Sequence, residues 1–121
     1  ACQFAVGHTP DLTACTQLWD YLHVRDGACA VADVLETSAD GLFNLASGHA
    51  PPLRDTVLRL RDFMAPQIEP HFGAVPFGPE QVHCLAADIT RLTAETGWSP
   101  QISLEEGLAE VALEAFGALS S

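Results

Sequence analysis

Only two or three segments of this chain can form strands, and that scarcity constrains the fold more than any other feature. Gln17 to Val24 (QLWDYLHV) alternates and is rich in aromatic and branched residues, the pattern of a strand. Leu42 to Ala46 is a short apolar run that follows the turn signal Asp40-Gly41 and ends at Ser47-Gly48. Val82 to Ala86 is either a third strand or an extended connector.

Helical signals fill most of the rest. Asp26 can cap a helix that keeps Ala28, Val31, Ala32 and Leu35 on one face. Pro51-Pro52 suit a first helical turn, where a missing N–H costs nothing. Leu53, Val57, Leu60 and Met64 then form a stripe that Pro66 ends. Gln67 to Gln81, rich in proline, reads as a loop with short extended pieces, as do residues 1–16 around His8-Thr9-Pro10-Asp11. Asp88 caps a short helix stopped at Gly97, and Trp98-Ser99-Pro100 is a turn whose indole packs inward. Ser103-Leu104-Glu105-Glu106 is a capping box, with Leu104, Leu108, Val111, Ala112 and Ala115 facing inward behind it. Glu106, Glu110 and Glu114 line up on the outer side as a solvated, like-charged row. The expected fold is α/β, with few strands, about four helices and a sheet too thin to be complete.

Composition narrows the function. Of 121 residues, 16 are acidic and 5 basic, a formal charge of -11 that argues against a nucleic-acid face. No apolar run approaches the ~20 residues of a membrane-spanning helix. There is no Lys, since the basic residues are Arg25, Arg54, Arg59, Arg61 and Arg91. That excludes a Schiff-base lysine, a phosphate-loop lysine and a Tyr–Lys pair within these residues. The opening Ala1-Cys2-Gln3-Phe4 has neither Met nor the basic start of a signal peptide. Cys2, Cys15, Cys29 and Cys84 are irregularly spaced, which reads as buried free thiols in a cytoplasmic protein. No paired spacing links them to His8, His23, His49, His71 or His83, so no metal site is expected.

Five segments together carry a resemblance: Gln17 to Asp26 (QLWDYLHVRD), Phe43 to Gly48 (FNLASG), Ala87-Asp88-Ile89, Gly97 to Pro100 (GWSP) and Ser103 to Leu108 (SLEEGL). In this order and at these separations the chain resembles the C-terminal, substrate-binding part of extended short-chain dehydrogenases/reductases, the NAD-dependent epimerase/dehydratase family. The match runs from about Leu12 to Ala115. The resemblance implies a nucleotide-sugar epimerase, dehydratase or reductase that uses NAD or NADP. It also implies a separate N-terminal Rossmann domain with a Gly-rich loop and a Tyr-x-x-x-Lys pair, absent from residues 1–121. Tyr21 and Arg25 stand at the Tyr-x-x-x-Lys spacing, but Arg cannot shuttle a proton as a titrating Lys does. No catalytic or cofactor-binding residue is therefore assigned.

In that family two arginines grip the substrate diphosphate with guanidinium forks. Their positions are Trp19 and Gly78 here, followed by Pro79, Glu80 and Gln81 where the family has Pro, Gly and an acid. Trp19 would offer a stacking face and Gln81 an amide, so the expected substrate-binding residues are Trp19, Gly78, Gln81 and Gln17. The lost forks point to a small polar substrate that need not carry a diphosphate. Asp20, Asp26 and Asp88 read as structural caps and turn residues. A stand-alone small-molecule binding module is the alternative. If the sheet lacks a neighbouring domain, an unpaired edge at 18–24 or 42–46 and an apolar patch away from the acidic row should remain, favouring self-association.

Overall fold

Capping chemistry sets where the helices begin and end in the computed structural model, which describes residues 1–120. In chain order these residues form α1 (Cys2–Ala5), β1 (Asp11–Leu12), β2 (Leu18–Trp19), α2 (Val24–Thr37), α3 (Leu53–Met64), β3 (His71–Phe72), β4 (Cys84–Leu85), α4 (Thr90–Thr96) and α5 (Leu104–Ser120). The stripe from Leu53 to Met64 forms α3 over its full length, but Pro51 and Pro52 stand ahead of the helix, Pro52 as its N-cap, rather than in its first turn. The capping box at α5 closes as expected: Glu106 N–H donates to Ser103 Oγ (3.2 Å), and Ser103 N–H donates to Glu106 Oε2 (2.8 Å). Gly97 ends α4 at φ 74°, a left-handed position that glycine takes without strain.

Helix α2 starts earlier than Asp26. His23 caps it, its ring Nδ1 accepting the Arg25 N–H (3.1 Å). The extended run from Gln17 therefore ends well before Val24, which is already helical. Asp26 is instead 97 % buried, and its carboxylate turns away from its own helix to accept Gln101 N–H (3.0 Å) and Ile102 N–H (2.8 Å). Trp98 Nε1 donates to the Asp26 carbonyl (3.1 Å), joining the turn after α4 to α2.

The strands form two parallel ladders. β1 pairs with β3, and β2 pairs with β4 with Leu18 opposite Cys84 and Trp19 opposite Leu85. On its other side β2 meets the start of α3: Leu53 N–H donates to Gln17 O (2.8 Å) and Trp19 N–H to Pro51 O (3.3 Å). The segment 17–20 is thus bonded on both sides, and the expected open edge is not there. Residues Leu42–Ala46 form no strand at all. Side chains hold that stretch instead, with Asn44 Nδ2 donating to Asp88 O (3.1 Å) and Leu42 left 90 % exposed.

Two apolar clusters fill the interior. Phe4, Met64, Ala65, Ile68 and Ala112 join α1, α3 and α5, and Ala30, Leu92 and Trp98 join α2 and α4. Apolar surface does remain open, on helices and loops (Val24, Leu35, Leu42 and Leu113) and also on the strand residues Leu18 and Leu85. Of the cysteines, only Cys15 is buried; Cys2, Cys29 and Cys84 are exposed, against the sequence expectation, and all four are free thiols. Among the described residues no helix is long and apolar enough to cross a membrane, and no group of three His, Cys, Asp or Glu side chains could hold a metal ion.

Candidate functional site

Three of the four candidate residues come together. Trp19, Gly78 and Gln81 line one shallow depression of about 450 Å³, with Pro79, Glu80 and Val82. β2 carries Trp19, and the loop from Gly78 into β4 carries the rest. Trp19 Nε1 and Gln81 Nε2 both donate to the Val82 carbonyl at 3.0 Å, so one backbone oxygen aligns the indole and the amide. Gly78 has no heavy atom within 4 Å of where a Cβ would stand, so a side chain there has room. Gln17 lies outside this depression. It is 97 % buried just ahead of β2, and its Oε1 has no hydrogen-bond partner.

Tyr21 continues the same line. Its ring lies 6.5 Å from that of Trp19 at 60°, a tilted aromatic pair. Burial, with a smaller contribution from the nearby Cys15, pushes the Tyr21 phenol above its ordinary value. Tyr21 faces two further depressions. One, of about 420 Å³, includes Ser47, His49, Arg59 and Gln101. The other, of about 480 Å³, is an apolar groove between α3 and α5 lined by Leu53, Val57, Leu60, Leu104 and Leu108. Glu110 and Glu114 border that groove, so the acidic row lies beside apolar surface and not away from it.

Glu110 is also not simply solvated. His23 Nε2 lies 2.9 Å from Glu110 Oε2, and the Arg25 guanidinium bonds the other carboxylate oxygen. The His23 hydrogen bond, then the Arg25 charge, hold the Glu110 carboxyl below its ordinary range. Because His23 Nδ1 already accepts a backbone N–H, Nε2 must be the donor to Glu110. Both ring nitrogens are committed, which leaves His23 no lone pair for proton transfer. Arg25 sits in the first turn of α2, not at a strand end, and Tyr21 precedes the helix. The pair still offers no titrating amine.

A dinucleotide needs a helix N-terminus free to meet its pyrophosphate. Each of the longer helices places an acid in its first turn: Asp26 in α2, Asp55 in α3, and Glu105 with Glu106 in α5. Those acids oppose a pyrophosphate at these three helix ends, and no step is routed through NAD or NADP.

The element order, the two short parallel ladders and the motif series together give the fold of the extended short-chain dehydrogenases/reductases of the NAD-dependent epimerase/dehydratase type, in its C-terminal part. Among characterised proteins, the chain is 33 % identical over 100 residues to dTDP-L-rhamnose 4-epimerase of Burkholderia thailandensis, covering 76 % of this chain and 25 % of that enzyme. Among solved structures, it superposes on UDP-glucose 4-epimerase of Thermotoga maritima with bound UDP-glucose at a TM-score of 0.85 and 23 % identity, over 98 % of this chain and 38 % of that one. It also superposes on RMD of Pseudomonas aeruginosa complexed with NADPH at 0.80 and 21 % identity, over 97 % and 40 %. No protein-family model matches the chain. The chain therefore spans between a quarter and two fifths of the length of these relatives.

Proposed function

We propose that residues 1–121 are the substrate-side segment of a cytoplasmic, NAD- or NADP-dependent epimerase, dehydratase or reductase of the nucleotide-sugar enzyme family. In this reading a Rossmann domain supplies the cofactor and the proton-transfer pair, and this segment alone is catalytically incompetent. Its face toward substrate is Trp19, Gly78 and Gln81, with Gln17 just ahead of the strand that carries Trp19. The observation that carries the reading is the convergence of Trp19, Gly78 and Gln81 in one depression, on a chain that superposes almost end to end on an epimerase holding UDP-glucose. The missing guanidinium forks make a substrate without a diphosphate the better fit.

Calorimetric titration of the chain with NAD and NADP tests the incompetence directly. No heat of binding is expected, and micromolar affinity would overturn the reading. The alternative, a stand-alone small-molecule binding module, is favoured by one observation: segment 17–20 is hydrogen-bonded on both sides within the chain. The reading frame ahead of Ala1 separates the two. A Gly-x-x-Gly-x-x-Gly loop followed by Tyr-x-x-x-Lys supports the enzyme segment, and a start codon there supports the module.

A further inference from the structure

Four of the five arginines are engaged. Arg25 bonds Glu110, and Arg61 bonds Asp62 and Glu69. Arg91 pairs with Glu95 and donates to the Asp40 and Leu42 carbonyls, while Arg54 lies over the Phe72 ring at 4.2 Å. Arg59 has no hydrogen bond, ion pair or ring contact among the described residues. Arg59 is exposed, so its guanidinium is free to meet an anion from solution.

That position is concave, with polar side chains set among apolar ones such as Pro51, Ile102 and Leu104. Arg59 on α3 lines the depression of about 420 Å³ shared with Tyr21, Ser47, His49, Gln101 and Glu105, drawn from four separate segments. Ser47 Oγ is committed to His49, accepting its N–H (3.1 Å) and donating to its carbonyl (3.0 Å). The donors left are the Arg59 fork, the Tyr21 hydroxyl and the His49 ring. Glu105 is the opposing charge on this wall, yet it forms no ion pair with Arg59 within 4.0 Å.

We propose that this depression is a binding site for one oxyanion group, a phosphate monoester or a carboxylate, gripped by Arg59 with Tyr21 and His49 as further donors. The Tyr21 phenol suits the role because a phenol is protonated at neutral pH and its hydroxyl faces this depression as a donor. A planar guanidinium matches such oxygens two at a time. Tyr21 joins this site to the Trp19 depression, so the anion would lie beside the aromatic face. The site stands on geometry alone; only its assignment to substrate rests on the function proposed above.

The test is an NMR titration of the ¹⁵N-labelled chain at constant ionic strength with inorganic phosphate, with glucuronate and with glucose 1-phosphate, following the Arg59 side-chain Nε–H in the parent and the backbone amides of Ser47, His49 and Gln101 in parent and variants alike. Saturable shifts centred on Arg59 are expected with phosphate or with glucuronate, and the one that saturates identifies the anion. Arg59→Gln should weaken binding about tenfold or more, as expected for losing a charge-assisted bidentate contact. Arg61→Gln, whose guanidinium is already paired, should leave it unchanged. No saturable shift with either anion, or undiminished binding in Arg59→Gln, overturns the site. Glucose 1-phosphate binding no tighter than phosphate keeps the site and removes its assignment to substrate.

Discussion

Replacing Asp26 should destabilise this protein more than any other single surface-adjacent change. Its carboxylate is 97 % buried and accepts two consecutive backbone N–H groups, from Gln101 at 3.0 Å and Ile102 at 2.8 Å. Hydrogen bonds to a charged acceptor are each worth about 1.5–3 kcal/mol, and a buried donor stripped of its partner costs a similar amount. Asp26→Ala removes both bonds and strands both amides, so the expected loss is about 3–5 kcal/mol. Both bonds end on Oδ2, so Asp26→Asn can keep them with its amide oxygen in that place, and should cost about 2 kcal/mol through the lost charge. Against a total stability of about 5–15 kcal/mol, either loss is large. Unfolding entropy of about 2.1 cal/mol/K per residue converts the alanine loss to a drop of roughly 12–20 °C in Tm for a chain of this length. Urea unfolding followed by tryptophan fluorescence reads it well, since the Trp98 indole bonds the Asp26 carbonyl. An alanine variant within about 1 kcal/mol of the parent, or an asparagine variant less stable than the alanine one, would refute the reasoning.

Three further outcomes follow from the same geometry. Glu110, Glu106 and Asp88 all titrate below their ordinary range, held down first by the His23 ring, the Ser103 amide and the Thr90 hydroxyl respectively. Depressed folded values stabilise above the ordinary carboxylate range of about 4 and lose that contribution as pH falls through them, so the urea midpoint should drop steadily below pH ~4; a midpoint flat across that window contradicts it. Gly97→Ala should cost about 1 kcal/mol from its φ of 74° alone, since nothing crowds the site, whereas Gly78→Ala should stay within about 0.5 kcal/mol by thermal melting. Restoring both forks, Trp19→Arg with Gly78→Arg in the full-length protein, should not tighten binding of its own substrate by calorimetry, because two guanidiniums without a diphosphate lose hydration for nothing; tighter binding argues for a diphosphate.

What could be read in the sequence was what local chemistry decides. The apolar stripe from Leu53 to Met64, the capping box at Ser103 and the stop at Gly97 each act within one or two turns, and each stands where expected. The starts and ends of extended segments are not local. Gln17 to Val24 and Leu42 to Ala46 have strand-like composition, yet the first is cut short when the His23 ring caps α2, and the second is held by Asn44 and has no ladder partner. β1 and β3 are two residues each, too short for any period to show. Trp19, Gly78 and Gln81 were found through the family pattern, and the structure brings those three to one depression. Arg59 carried no such signal, because its distinction is the lack of a partner, which only the folded chain reveals.

The thin sheet raises the question of what holds the loops around Tyr21 in place, and two carboxylates six residues apart answer it. Asp20 accepts Ser47 N–H through Oδ1 and Gly48 N–H through Oδ2, both at 2.8 Å, and Asp26 accepts Gln101 N–H (3.0 Å) and Ile102 N–H (2.8 Å) on its single Oδ2. Each thereby pins two consecutive amides of a distant segment to the stretch that links β2 to α2. Charge-assisted bonds of this kind are about twice as strong as neutral ones, so two such clamps do for the 46–49 and 100–102 loops what ladder bonds do in a wider sheet. The same two loops bring Ser47, His49 and Gln101 to the wall that faces Arg59. Asp20 and Asp26 are therefore positioning residues for this depression, and Asp26→Ala, even where still folded, should weaken the anion-dependent shift at Arg59 as the Gln101 wall comes free.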